Sequence, residues 1–194
     1  MLNLHPDNCK EYTFWSEYIQ KHDNIAVAEL NGKTTLNSTG RNLRNKALKL
    51  GYECRLVTYS ERNLLLQDIH EINISSEVRQ GKPMKQSYLE YPKEMNIGNI
   101  CAFHHSIWFG CFKDGKLVAY IVGAYCGNMV AFSMILGHKD HLKNGIMYAL
   151  SDYVMEFSNK MLDINYCIYS LWSDGTDGLR TFKNNLGFKQ TNLQ

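Results

Sequence analysis

The sequence is poor in proline, with 3 in 194 residues, two of them (Pro83 and Pro92) close together, so proline breaks the chain in few places. It has 6 cysteines, at positions 9, 54, 101, 111, 126 and 167, but no C-x-x-C pair. That scatter suits free thiols in a reducing cytoplasm better than a disulfide frame or a zinc knuckle. No apolar run reaches the roughly 18 residues a membrane helix needs. The opening MLNLHPDNCKEY has no apolar stretch behind a basic start, which argues against a signal peptide. No repeat and no low-complexity tract is visible. Net charge is only +2, so total charge points neither toward nor away from a nucleic-acid partner. What is present is ordinary for a globular chain: 44% hydrophobic and 21% charged residues, which excludes a disordered one. The length suits one domain, or one with a small appendage. Such a chain buries about 70% of its unfolded surface, enough to need no staple.

Residue spacing gives a coarse order of elements. Tyr12, Trp15, Tyr18 and Ile19 fall at helical spacing between Asp7 and His22. Ile25 to Leu30 reads as a short strand running into the Asn31-Gly32 turn, and Arg41 to Leu50 as a helix stopped by Gly51. Tyr52 to Tyr59 is strand-like, and Ser60 is placed to cap a helix bearing Leu64, Leu65, Ile69 and Ile72. Residues 75–84 carry a Gly and a Pro that should stop regular structure, and Tyr88, Leu89 and Tyr91 point to a short helix beyond them. Ser106 to Lys113 and Lys116 to Tyr125 flank Asp114-Gly115, a hairpin turn, and Met129 to Leu136 forms a third strand. A polar loop over 137–141 leads to a helix with Ile146, Leu150, Val154 and Phe157 on one face. A strand from Asn165 to Leu171, a turn, a short helix from Leu179 closed by Gly187, and a final strand from Phe188 complete the order. Strands in a meander followed by crossovers imply an α/β (α+β) fold: a mixed, mostly antiparallel central sheet with helices on both faces.

That order, together with the ending F-x-x-x-L-G-F at Phe182, Leu186, Gly187 and Phe188, resembles the GNAT superfamily of acyltransferases over residues 52–194. The resemblance makes 52–194 the acyltransferase domain and 1–51 a helical, basic extension. It implies a splayed pair of central strands that admits an acyl donor, normally acetyl-CoA, with the diphosphate at the start of the helix after the third meander strand. Unpaired N–H groups at a helix start make such an anion site on general grounds. The expected donor contacts are Leu136, Lys143, Asn144, Gly145 and Ile146. Ser133 falls where the family polarises the thioester carbonyl, and His138, in the loop beside the phosphates, is the candidate for proton transfer. Ser76, Arg79 and Gln80 occupy the place of the family's substrate loop; Arg79 offers a planar fork and Gln80 an amide. The substrate is then an amine on a small molecule, nucleotide or nucleic acid.

Two departures from the family pattern bear on mechanism. The phosphate loop lacks the usual glycine spacing, reading instead from His138 to Ile146 with one glycine, Gly145. This leaves room for another donor, such as the aminoacyl-tRNA used by a branch with doubled GNAT-like domains. The Tyr that many members carry after the helix Phe, where it protonates the leaving thiolate, is replaced by Lys183. These absences support an alternative: an inactive GNAT-fold module that binds nucleic acid or protein. Its basic surface would come from Arg41, Arg44, Lys46 and Lys49, within a stretch from Lys33 to Arg55 that carries +5. Trp15, Trp108 and Trp172 are available to stack on bases. His138 and His141 at i, i+3 supply two ligands, which make no metal site, so none is expected. His104 and His105, and Glu71 and Glu77, are further bases near the expected cleft, while Asp174 and Asp177 read as caps of the last helix. The short stretch after Phe188 invites a strand from a second copy, hence a homodimer.

Overall fold

The sheet is built by alternation. In the strand His104–Lys113, Phe109 and Cys111 face one core while Trp108 and Phe112 face the other. The computed structural model describes residues 24–79, 81–95 and 104–191; the expected N-terminal helix with Trp15, as well as Gln80, lies outside them. The strands are β1 (Ile25–Glu29), β2 (Glu53–Val57), β3 (Val78–Arg79), β4 (Lys82–Pro83), β5 (His104–Lys113), β6 (Lys116–Cys126), β7 (Met129–Gly137), β8 (Tyr166–Leu171) and β9 (Lys189–Thr191). The helices are α1 (Ser38–Lys49), α2 (Tyr59–Leu64), α3 (Leu66–Ile74), α4 (Gln86–Leu89), α5 (Lys139–Leu142), α6 (Ile146–Leu162) and α7 (Asp177–Asn185).

Seven strands form one sheet in the order β2-β5-β6-β7-β8-β1-β9, antiparallel throughout except for the parallel β7–β8 pair. The meander β5–β6–β7 is as expected. At its first turn Asp114 and Gly115 both adopt positive φ, 52° and 81°, the conformation a two-residue hairpin with the sheet's twist requires. The helix α6 lays Ile146, Leu150 and Val154, all fully buried, on one face of the sheet together with Ala47 of α1. Each such aliphatic contributes about 1.5–3 kcal/mol of apolar burial. Ile69 and Ile72 of α3 cover the opposite face against Trp108, Leu117 and Tyr120. Helices on both faces are thus confirmed.

Four local expectations are corrected. The helix after β2 begins two residues earlier, with Thr58 rather than Ser60 as cap, because the Thr58 hydroxyl accepts from the Glu61 amide at 3.2 Å. Residues 75–84 do hold regular structure, since Gly81 at φ 76° lets β3 and β4 pair as a short hairpin. The loop at 137–141 contains the single turn α5. The division at 51/52 is crossed by the sheet: β1 lies between β8 and β9, with Ile25 opposite both Leu171 and Thr191. Described residues before position 52 therefore share the sheet and core of those after it. No helix of the described residues is long and apolar enough to cross a membrane.

The closing motif explains itself in space. Gly187 sits at φ 85°, and a Cβ there would lie 2.3 Å from the Thr35 carbonyl oxygen. Left-handed backbone costs a side-chain-bearing residue about 1–2 kcal/mol before any clash. We therefore expect Gly187→Ala to destabilise the fold by at least about 2 kcal/mol in urea unfolding; a loss below about 0.5 kcal/mol would contradict this packing.

Candidate active site

The parallel pairing of β7 with β8 is brief: Met129 with Tyr166, Val130 with Cys167, and Ala131 with Ile168. Beyond these pairs each strand breaks its own regularity. In β7 the register against β6 shifts, Phe132 facing Gly123 and Met134 facing Val122, so Ser133 is the extra residue of a bulge. Its hydroxyl donates to the Val122 carbonyl at 2.9 Å. In β8, Ser170 takes φ 53°, a left-handed conformation inside a strand. Such a residue costs on the order of 1–3 kcal/mol and persists only where its surroundings hold it. Here the Ser170 hydroxyl donates to Asp174 Oδ2, the Leu171 amide donates to the same oxygen at 3.4 Å, and Lys183 Nζ donates to the Leu171 carbonyl.

Two adjoining cavities open at this fork. One, about 600 Å³, is lined by Ser133 and Leu136 of β7, Tyr169 and Ser170 of β8, Asp174, and the hairpin residues Arg79, Lys82 and Lys85. The other, about 440 Å³, is lined by Ser76, Arg79, Gly137, Lys139, Met147, Tyr148 and Phe182. Ser133, Leu136, Arg79 and Ser76, singled out from sequence, therefore meet around one cleft. Arg79 does so in an unexpected way. Its guanidinium donates to the carbonyls of Gly137 (2.8 Å) and Ile72 (2.6 Å) and to Ser75 Oγ (3.0 Å), stapling the β3–β4 hairpin to the end of β7. Burial pushes its pKa below the ordinary guanidinium value. The Ser76 hydroxyl is likewise engaged, donating to the Val78 carbonyl at 2.7 Å in an exposed local bond.

The start of α6 is fixed by other elements. Gly145, at φ 81°, lies so close to α1 that a Cβ would stand 2.2 Å from the Leu43 carbonyl oxygen. Lys46 Nζ donates to the Lys143 carbonyl at 2.9 Å. Asn144 Nδ2 donates to the hydroxyl of Tyr52 at 2.8 Å, and that hydroxyl lies 2.7 Å from His141 Nδ1. Asn144 is thus turned toward Tyr52, and Ile146 is fully buried in the core. Lys143, Asn144, Gly145 and Ile146 line neither cavity. Met147 and Tyr148 do, and the sequence reading missed both. The available signal was their place off the face marked by Ile146, Leu150 and Val154. His138 caps α5, its Nδ1 accepting from the Asp140 amide at 3.4 Å, and its ring stands 5.6 Å from that of His141.

Other candidates are committed elsewhere. Asp174 does not cap the last helix: the cap position is Thr176, and Asp174 holds Ser170 instead. Asp177 pairs with Arg180 in the first turn. Glu71 pairs with Lys116 at 2.6 Å, and His105 stacks on Tyr125. Lys183 is completely buried, its ammonium 5.4 Å from the Tyr169 ring centroid, and burial lowers its pKa. Of the basic residues on α1, Arg41 donates to the Leu36 carbonyl (2.7 Å) and Arg44 pairs with Asp152 (2.7 Å). Trp108 is buried against Tyr120, so it presents no face to a base. No group of three His, Cys, Asp or Glu is placed to hold a metal among the described residues.

No protein-family model matches the chain. A search of curated proteins likewise gives no match. Solved structures do match. FemX superposes with a TM-score of 0.63 at 9% identity, over 87% of this chain and 59% of that one. The C-terminal DUF2156 domain of a putative lysylphosphatidylglycerol synthetase from Agrobacterium fabrum gives 0.60 at 14%, over 87% and 57%. L-PGS from Bacillus licheniformis gives 0.59 at 16%, over 87% and 58%. The chain shares the fold of these structures. It spans less than two thirds of the length of each, and identities this low establish the fold alone.

The Tyr52–His141–Asn144 contact yields a pH prediction. Burial, followed by the neighbouring His138, lowers the His141 pKa below the ordinary 6.5; Asp140 acts in the opposite sense, and Lys116 lowers it slightly. The unfolded chain then binds the proton more readily, so stability is full above pH 6.5 and falls as pH drops through the folded-state value. Between pH 7 and 5 the wild type should lose more melting temperature than a His141→Asn variant; parallel profiles would contradict this.

Proposed function

We propose that the protein is an N-acyltransferase that takes an acyl group from a thioester, acetyl-CoA being the reference donor, and passes it to an amine. The observation that carries this reading is the fork between β7 and β8, with a cleft on it. Past Ala131, the β7 amides on the β8 side lack the ladder partner that the first three pairs supply. Strand amides of this kind meet the oxyanion that develops when an amine attacks an acyl carbonyl. The 440 Å³ cavity, bounded by the first turn of α6, takes the donor. The amide of Met147 precedes the first intrahelical bond and, with Lys139 in the lining, receives its phosphates.

The acceptor ammonium loses a proton before attack, and the thiolate gains one on leaving. Lys183 is occupied with backbone carbonyls, so we assign the second role to Tyr148, a phenol lining the donor cavity with its ring 4.8 Å from that of Phe182. Ser133 stands at the fork as a neighbour of the carbonyl, with its proton donated to Val122; His138 remains the sequence-based candidate for proton transfer but lines neither cavity. The expected readouts are heat and a thermal shift with millimolar acetyl-CoA, and, with an amine panel, release of free thiol. Tyr148→Phe should lower kcat by about 100-fold with little change in donor KM. No heat and no shift with acetyl-CoA would reject the thioester donor.

A second reading keeps the fold and changes the donor to an aminoacyl ester carried by RNA. It is favoured by Lys183 in place of the thiolate-protonating Tyr, and by structural similarity to FemX and to proteins named as lysylphosphatidylglycerol synthetases. Binding of aminoacylated tRNA that weakens steeply with salt, in the absence of any acetyl-CoA signal, selects it. The inactive binding module and the homodimer stay as proposals. The first is answered by the same thiol-release assay, the second by light scattering, since β9 is an edge strand open to pairing.

A further inference from the structure

Asp174 and Ser170 form a feature that neither fold nor donor binding explains. Ser170 is the one described residue in the seven-stranded sheet's strands with positive φ, and it sits at the mouth of the 600 Å³ cavity. Its hydroxyl and the Leu171 amide both engage Oδ2 of Asp174. Oδ1 of that carboxylate has no partner among the described residues, and Asp174 lines the cavity. The strained turn therefore places Asp174 in the lining of the cleft, near the buried Lys183 ammonium, rather than at the cap of α7. The same cavity is lined by Lys82 and Lys85, both exposed and neither in an ion pair among the described residues; the turn at Gly81, next to Lys82, lies against Thr176. Arg79 adds positive charge to that lining with Nη1 and Nη2 committed to Gly137, Ile72 and Ser75, while its Nε–H is buried without a partner among the described residues. Apolar surface from Met84, Phe132 and Ile135 lies in the same lining. The lining of one cleft thus carries a carboxylate suited to an ammonium and lysines suited to an anion.

We propose that this cleft binds a bifunctional acceptor: a primary amine whose ammonium docks on Asp174 and whose phosphate or carboxylate docks on Lys82 and Lys85. The inference deepens the acyltransferase reading by naming the acceptor class, and it rests on that reading only for the word acceptor. A short spacer between the two groups lies along the apolar lining, and a plain alkylamine gains only half of the contacts.

The test needs no donor. Full-length protein is titrated, by calorimetry or by NMR shifts, with phosphorylethanolamine and 4-aminobutyrate as bifunctional probes. Butylamine and methyl phosphate serve as the single-group controls. At least one bifunctional probe should bind tenfold or more tighter than either control. Asp174→Asn, which keeps an acceptor oxygen for Ser170 and Leu171, should reduce that probe to the level of methyl phosphate. Lys82→Gln with Lys85→Gln, both on exposed side chains, should reduce it to the level of butylamine. The lysine substitutions should not alter acetyl-CoA affinity. Bifunctional probes no better than the controls, or discrimination that survives both sets of substitutions, would overturn the proposal. Because the wild-type comparison alone decides the first point, a variant that folds poorly does not shelter the idea. Acetyl-CoA titrated separately tells the two readings apart: its failure to bind removes the thioester donor and leaves a demonstrated amine–anion site intact.

Discussion

The molecule turns on a sheet that cannot close. Ala131 and Ile168 are the last residues at which β7 and β8 can exchange parallel hydrogen bonds, because each strand then departs from extended geometry on its own account. The bulge at Ser133 bends β7, and the left-handed turn at Ser170 takes β8 out of the ladder. The cleft is therefore not a gap left by missing side chains. It is enforced by backbone, and every residue that stabilises the two deviations helps keep it open. On the β7 side that is the hydroxyl of Ser133 on Val122; on the β8 side it is Asp174 and the buried Lys183.

The start of α6 obeys the same logic of support from outside. The familiar solution for holding phosphate is a loop whose own glycines expose its amides. Here one glycine does a different task, letting the helix start press against the α1 backbone, and side chains from α1 and from Tyr52 hold the loop behind it. The positive charge that α1 brings is partly consumed in this construction. Arg44 is tied to Asp152 of α6, which has both carboxylate oxygens filled, by Arg44 and by Thr34. A segment that looks like a nucleic-acid surface in one dimension is in part an internal brace.

What the sequence disclosed follows the range of the interactions involved. The Asp114-Gly115 hairpin, the Gly51 and Gly187 stops, and the α6 face of Ile146, Leu150 and Val154 are set by neighbours a few residues apart, and all were legible. The place of β1 was not, since Ile25 pairs with Leu171 and Thr191, partners far along the chain that no local pattern announces. The cleft fared in between. Ser133, Leu136, Ser76 and Arg79 were drawn to it through the resemblance, yet Arg79 and Ser76 turned out to spend their hydrogen bonds on the protein itself. Asp174 was misread as a helix cap because a serine in left-handed conformation inside a strand leaves no mark in sequence. Met147 and Tyr148 were overlooked because helical periodicity reports which face is buried, not what the flank of that face meets.

The brevity of the β7–β8 ladder also divides the sheet mechanically. On one side lie β2, β5, β6 and β7, on the other β8, β1 and β9, and the backbone seam between them is only three residue pairs long. The helix α6 packs on β2, β5, β6 and β7, and its Asn159 and Asp152 bond to Leu30 and Thr34, which follow β1, so that it ties the two sides together. A molecule wedged into the fork touches both halves at once and so behaves as a strut. Occupancy of the cleft is therefore expected to slow amide exchange in β8 and β9 more than in the meander, whose ladders are longer.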